Sequence, residues 1–198
     1  MPRKRREQSA TGVYHWIVRG MNKKDLFHDT QDFDCFKKLL IEYKTTYQIS
    51  FFHFCFMTNH VHVLLKAMDL EYLAGFSHYV QRRYAYYYCG RYKWTGSVFQ
   101  RGYRSFVIDR DEYMLECGRY IERNPVKAKL VENPGDYKYT SYRYYAAGDI
   151  DAMLTESPAY TALSSDVNLR RMIYAKRVEE HRVHEEMMER GLLPVGMS

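Results

Sequence analysis

The run "TNHVHVLLK" at residues 58–66 places His60 and His62 two positions apart. Side chains alternate across an extended strand, so His60, His62 and Leu64 share one face while Val61, Val63 and Leu65 share the other. Two neutral imidazoles side by side form half of a site for a divalent cation, and a third ligand must come from another element. The same pattern also suits histidines that only hydrogen-bond at a sheet surface. A second pair sits in "YIERN", where Tyr120 and Asn124 are four apart. At 3.6 residues per turn they lie about 40° from one another around a helix, so both point the same way. A phenol there could be a nucleophile beside an amide that ligates a metal. Equally, Tyr120 could pack in the core and Asn124 cap the helix before Pro125. Spacing does not choose between these.

The charge distribution points to a polyanionic partner. The net formal charge is +6, but residues from Ile150 onward hold six Lys/Arg against eight Asp/Glu, which leaves +8 on residues 1–149. Arg3, Lys4, Arg5 and Arg6 form a basic arm of the kind that binds phosphates with release of counterions, though a tail that only aids solubility would read the same. Tyrosine is abundant, at 20 of 198 residues. Stretches 79–94 and 100–106 interleave it with arginine, offering rings for base stacking beside guanidinium groups for phosphates. A helix that buries a tyrosine stripe would look similar. Cys35, Cys55, Cys89 and Cys117 are scattered without a CxxC pair, which argues against a zinc ribbon or a disulfide framework. No run approaches the roughly 18 apolar residues of a membrane span, and the N-terminus lacks a secretory apolar region, so a cytoplasmic location is expected.

The elements that must position these residues follow from periodicity. "GVYHWIVRG" (12–20) reads as a strand closed by Gly20. Residues 30–48 open on a Thr cap candidate and space Phe33, Phe36, Leu39, Leu40 and Tyr43 as one face of a helix. Residues 49–57 and 60–66 form a hairpin across Thr58-Asn59. A second helix spans 70–92, a short strand follows within 96–108, and a third helix runs over 109–125, with Pro125 marking its expected end. The order β α β β α β α predicts an α+β fold, a ferredoxin-like antiparallel sheet with helices on one side. Residues 1–148 are expected to form the main domain, with 149–198 as a helical C-terminal extension.

"MTNHVHVLL", "YIERNPVKAKLV" (120–131), "PRKRR" followed by "YHWIVRGMNKKDLFHD", and "TGSVFQRGYRS" (95–105) occur together and in order over residues 2–145. In this the chain resembles the single-tyrosine HUH transposases, particularly the REP-associated tyrosine transposase branch. The resemblance implies an HUH nuclease fold and a single-strand DNA endonuclease and strand-transferase that works through a 5′-phosphotyrosine. It implies His60, His62 and Asn124 as metal ligands and Tyr120 as the nucleophile. Asn124 stands where the insertion-sequence branch uses Gln, which agrees with the REP-associated branch. Thr58 replaces a common proline, and Lys129 a frequent glycine.

The cofactor expected from this resemblance is Mg²⁺ or Mn²⁺, polarising the scissile phosphate, with Mn²⁺ better matched to imidazole. A free phenol with a pKa near ~10 is a poor nucleophile, so nearby positive charge must favour the phenolate. The expected partner is single-stranded DNA with hairpin elements, contacted by Arg3, Lys4, Arg5, Arg6, Arg101 and Arg104. A monomer is favoured over a homodimer that exchanges tyrosine helices. Two rival readings stay open: a DNA-binding module of the same fold that has lost cleavage, and a basic RNA-binding protein of ferredoxin-like fold.

Overall fold

The structure is a computed structural model that describes residues 6–100 and 102–180. Alternation in "VYHWIVR" builds β1 (Val13–Arg19), with Tyr14, Trp16 and Val18 buried on one face and His15, Ile17 and Arg19 on the other. The hairpin pairs β2 (Ser50–Met57) with β3 (His60–Lys66) across the Thr58-Asn59 turn. That turn is anchored from outside the sheet, because the Thr58 carbonyl accepts from the Leu26 and Phe27 amides at 2.7 and 3.0 Å. With β4 (Arg104–Val107), the strands described form one antiparallel sheet in the order β2-β3-β1-β4. This is the ferredoxin-like order expected from the α+β pattern. It puts β3, which carries the histidine pair, in the interior of the sheet beside β1.

Two helices cover one face. α1 (Thr30–Thr46) starts one residue earlier than the Thr cap implied, because the Asp29 carboxylate accepts from the Asp32 amide. α2 (Leu70–Tyr92) is capped likewise by Asp69. Their apolar stripes meet Tyr14, Trp16, Phe54, Phe56 and Val63 in one core. Trp16 is fully buried there, and its indole N–H donates to Ser77 Oγ at 3.1 Å, so the polar end is not stranded.

The expectation of helices on one side holds for α1 and α2 only. α3 (Asp111–Lys127) packs on the opposite face, against β2 and β3, around Phe52, Cys55, Leu64, Cys117 and Ile121. The cause is that both faces of β2 are apolar: Phe52 and Cys55 need cover as much as Phe51 and Phe54 do. Beyond residue 140 the chain adds short helices α4 (Tyr142–Ala146) and α5 (Pro158–Thr161), then α6 (Val167–Glu179). Tyr145, Tyr160, Tyr174 and Val178 from these elements fill the same second core. α6 is also held by its end: Arg119 and Arg123 of α3 donate to the carbonyls of Arg177, Val178, Glu179 and Glu180. These are terminal carbonyls with no partner inside the helix, and cations there complement its dipole.

α3 does not end at Pro125 but runs to Lys127. A proline inside a helix removes the N–H that would serve the carbonyl four residues back. Here that carbonyl belongs to Ile121, and the Asn124 side-chain amide donates to it at 3.1 Å and to the Tyr120 carbonyl at 2.9 Å. The helix then closes at Lys129, whose φ of 57° is left-handed. The amides of Lys129 and Leu130 reach back to the carbonyls of Val126 and Pro125, both at 2.9 Å. The glycine frequent at this position in the resembled family suits that backbone; lysine adopts it at some cost.

Candidate active site

The strand register determines what surrounds the histidine pair. Ile17 is opposite His62, and Arg19 is opposite His60. On the other edge of β1, Arg104 of β4 is opposite Ile17. The outward face of β3, β1 and β4 thus presents His60, His62, His15, Arg19 and Arg104 together. Tyr120 and Asn124 of α3 close the side of this surface, forming a cleft of 860 Å³. The Tyr120 ring stands edge-on to His62 with centroids 5.8 Å apart, and 5.9 Å from His15. The residue is 8% exposed: it packs in the second apolar core and also lines the open cleft.

The imidazoles are oriented by specific acceptors. His60 Nδ1 lies 2.5 Å from Asn59 Oδ1, and the Asn59 amide nitrogen donates to the Lys23 carbonyl, which fixes the oxygen toward His60. The proton of His60 must therefore sit on Nδ1, leaving the Nε2 lone pair free. His62 Nδ1 lies 2.9 Å from His15 Nε2, and the two rings stack at 5.1 Å. The rings of His60 and His62 are 4.9 Å apart. Burial, with help from Arg104, lowers the pKa of His15 to about 3. Burial, with help from Arg19, lowers that of His60 to about 4. Burial pushes His62 well below its ordinary value, and its histidine neighbours and Arg19 add to the effect. All three are neutral at pH 7, the form that ligates metals.

The donor set fits a hard or borderline divalent cation. Among the described residues no group of three His, Cys, Asp or Glu is arranged to hold a metal ion. A cation held in this cleft would draw on imidazole, on an amide oxygen and on oxygens from phosphate and water. Asn124 could supply the amide oxygen: both contacts of its side-chain nitrogen are carbonyl oxygens, so Oδ1 is the end left for the cleft.

The other expected contacts divide. Arg104 is in the cleft wall. Arg6 stacks on the Tyr103 ring at 3.8 Å and donates to its carbonyl, in a neighbouring groove that shares Gln100 and Gly102 with the cleft. Arg3, Lys4, Arg5 and Arg101 lie outside the described residues. The Tyr/Arg stretch 79–94 does mostly structural work. Tyr87, Tyr92 and Arg91 all bond the buried Asp32, Tyr84 bonds the Leu26 carbonyl, and Tyr79 and Tyr86 are exposed.

Sequence reasoning missed His15, Arg19 and Lys127. Alternation puts His15 and Arg19 on one face of the first strand, but only the pairing of β1 with β3 brings them to the histidines. Lys127 is seven residues after Tyr120, two turns along the same helix face, and its Nζ lies 5.4 Å from the Tyr120 ring centroid.

A buried network fixes α3 from behind. Glu122 Oε1 accepts from His53 Nδ1 at 3.0 Å and Ser141 Oγ at 2.6 Å, and its Oε2 accepts from the Tyr174 hydroxyl at 2.8 Å. These bonds tie β2, α3, the α4 cap and α6 together, two residues from both Tyr120 and Asn124. Gly118 lets the helix approach this closely, since a Cβ there would meet the His53 ring at 2.8 Å.

A family model described as IS200-like transposase matches residues 9–124. The fold is similar to the structure of the REP-associated tyrosine transposase bound to a REP hairpin. The TM-score is 0.65 at 16% identity, covering 79% of this chain and 93% of that one. A putative transposase from Deinococcus radiodurans is a more distant match, with a TM-score of 0.42 at 19% identity over 62% of this chain and 95% of its own. No curated protein sequence matches. Among the described residues no helix is long and apolar enough to cross a membrane.

Proposed function

The chain belongs to the IS200-like transposase family, and from its site we propose a metal-dependent single-strand DNA endonuclease and strand-transferase that acts at hairpin-containing DNA through a 5′-phosphotyrosine. The observation that carries this reading is the Tyr120 ring beside His62 at the edge of an open, arginine-lined cleft. In the proposed step the Tyr120 oxygen attacks the scissile phosphorus in line. The Tyr120 O–P bond forms as the P–O3′ bond breaks. The phenol gives up its proton, and the leaving 3′ oxygen takes one up as a free 3′-OH. Attack by a second 3′-OH on the phosphotyrosine reverses these bond changes, so resealing needs no nucleotide cofactor.

The chain's own residues provide orientation and charge. α3 holds Tyr120 in place, so little freedom is lost when the attack geometry is reached. Arg19 and Arg104 flank the cleft with positive charge for the DNA backbone, and Lys127 stands over the Tyr120 ring. His60, His62 and Asn124 would hold Mg²⁺ or Mn²⁺, which when bound would offset charge building on the non-bridging phosphate oxygens.

Hairpin DNA is proposed as the substrate because the structurally similar protein was captured with a REP hairpin. A monomer is the proposed active unit, since Tyr120 reaches the histidines of its own chain. The test is a labelled hairpin with a single-stranded flank, incubated with Mn²⁺. We expect a covalent protein–DNA band that is lost in Tyr120→Phe. Tight hairpin binding without any adduct would support the module that has lost cleavage instead.

A further inference from the structure

We infer that His15 is a positioning residue for this site: its Nε2 accepts the Nδ1 proton of His62 and so leaves the His62 Nε2 lone pair turned to the cleft. The inference rests on the reading of His62 as a cation ligand. It places a residue of β1 behind a ligand set drawn from β3 and α3.

The argument is one of proton counting. The two rings meet through His15 Nε2 and His62 Nδ1 at 2.9 Å, and a hydrogen bond there holds a single proton. Each neutral imidazole carries one N–H. If His15 were the donor, the His62 proton would sit on Nε2, and no lone pair would face the cleft. If His62 is the donor, its Nε2 is free to bind. The direction of this one bond therefore decides whether His62 can be a ligand.

Metal-binding histidines nearly always give their second N–H to an outer acceptor, which fixes tautomer and ring orientation. His60 has that arrangement through Asn59 Oδ1. His15 stands in the same relation to His62. Its position follows from the sheet: His15 is opposite Leu64, so it is the diagonal neighbour of His62, at a separation a ring can span. The Phe106 ring, 6.1 Å away, and the Tyr120 ring hold it from the other sides. A neutral acceptor also adds no charge to a cleft meant for phosphate.

Two measurements on the full chain test this. Mn²⁺ is titrated into protein freed of metal, with bound ion read by electron paramagnetic resonance and without DNA. His15→Phe, which keeps the ring but loses the acceptor, should weaken Mn²⁺ binding about 10- to 100-fold. His15→Gln, whose Oε1 can replace Nε2, should stay within about threefold of wild type by the same reasoning. Equal affinity in wild type and His15→Phe would overturn the assignment. Long-range ¹H–¹⁵N spectra of the wild type in chelator should show His62 protonated on Nδ1, and a His62 protonated on Nε2 would overturn it whether or not the variants fold. Mn²⁺ uptake that persists in both His60→Ala and His62→Ala would instead remove the cation site, and the role of His15 with it.

Discussion

The Asn124 side-chain nitrogen lies 3.1 Å from the Ile121 carbonyl oxygen, the group that Pro125 leaves without its backbone donor. One substitution pattern thus serves two ends: the helix continues past a proline, and the amide is held with its oxygen outward. In Pro125→Ala the restored N–H should take the Ile121 carbonyl and release the amide to turn. We expect equal or greater resistance to urea together with weaker adduct formation. Asn124→Ala should cost about 1 kcal/mol alone and much less in the Pro125→Ala background. Additive costs in this double-mutant cycle would contradict the replacement.

Gly118 sits where α3 crosses β2, and a methyl group there has no room beside His53. On an open helix surface Gly→Ala usually gains up to about 1 kcal/mol. Here the sign reverses. Gly118→Ala should lose roughly 1–3 kcal/mol, the ordinary range for overpacking. Because Tyr120 rides on the same turn, adduct formation should drop as well. A gain in unfolding midpoint would show that the helix can shift freely.

Tyr174 donates to Glu122 inside the second core, where burial and the Glu122 carboxylate push its phenol well above the ordinary range. The hydroxyl therefore stays protonated and remains a donor. Tyr174→Phe removes that donor but keeps the ring, leaving one carboxylate oxygen short of a partner at a cost of about 1–3 kcal/mol. Glu122→Leu should be worse, since it strands donors on His53 and Ser141 as well. Urea unfolding of the two variants checks the order, and a Tyr174→Phe protein as stable as wild type would remove the network from the account.

Three depressed histidines make stability depend on pH in a defined window. His15 and His60 protonate near 3 and 4 when folded, and His62 also lies well below 6.5. In the unfolded chain each protonates near ~6.5. As pH falls below that value, the unfolded chain takes up protons that the folded chain refuses, so stability declines. Above about 6.5 these groups contribute no slope. Unfolding midpoints in chelator should fall already between about pH 6.5 and 5, above the range where carboxylates titrate. His15→Phe should show a shallower fall, and identical slopes would count against the buried neutral histidine.

Local periodicity aligned the residues of this site in pairs, and the family resemblance singled those pairs out. Alternation alone puts His60 and His62 on one face, and 3.6 residues per turn align Tyr120 with Asn124, because both relations depend only on backbone geometry within a single element. The antiparallel α+β order was legible for the same reason. What the tertiary structure decided are the relations between elements. Pairing of β1 with β3 set His15 diagonally behind His62, and the doubly apolar β2 drew α3 to the face opposite α1 and α2. Continuation of α3 through Pro125 depended on where the Asn124 amide could turn. Such outcomes depend on strand register and on packing of side chains far apart in sequence, and no local periodicity encodes either.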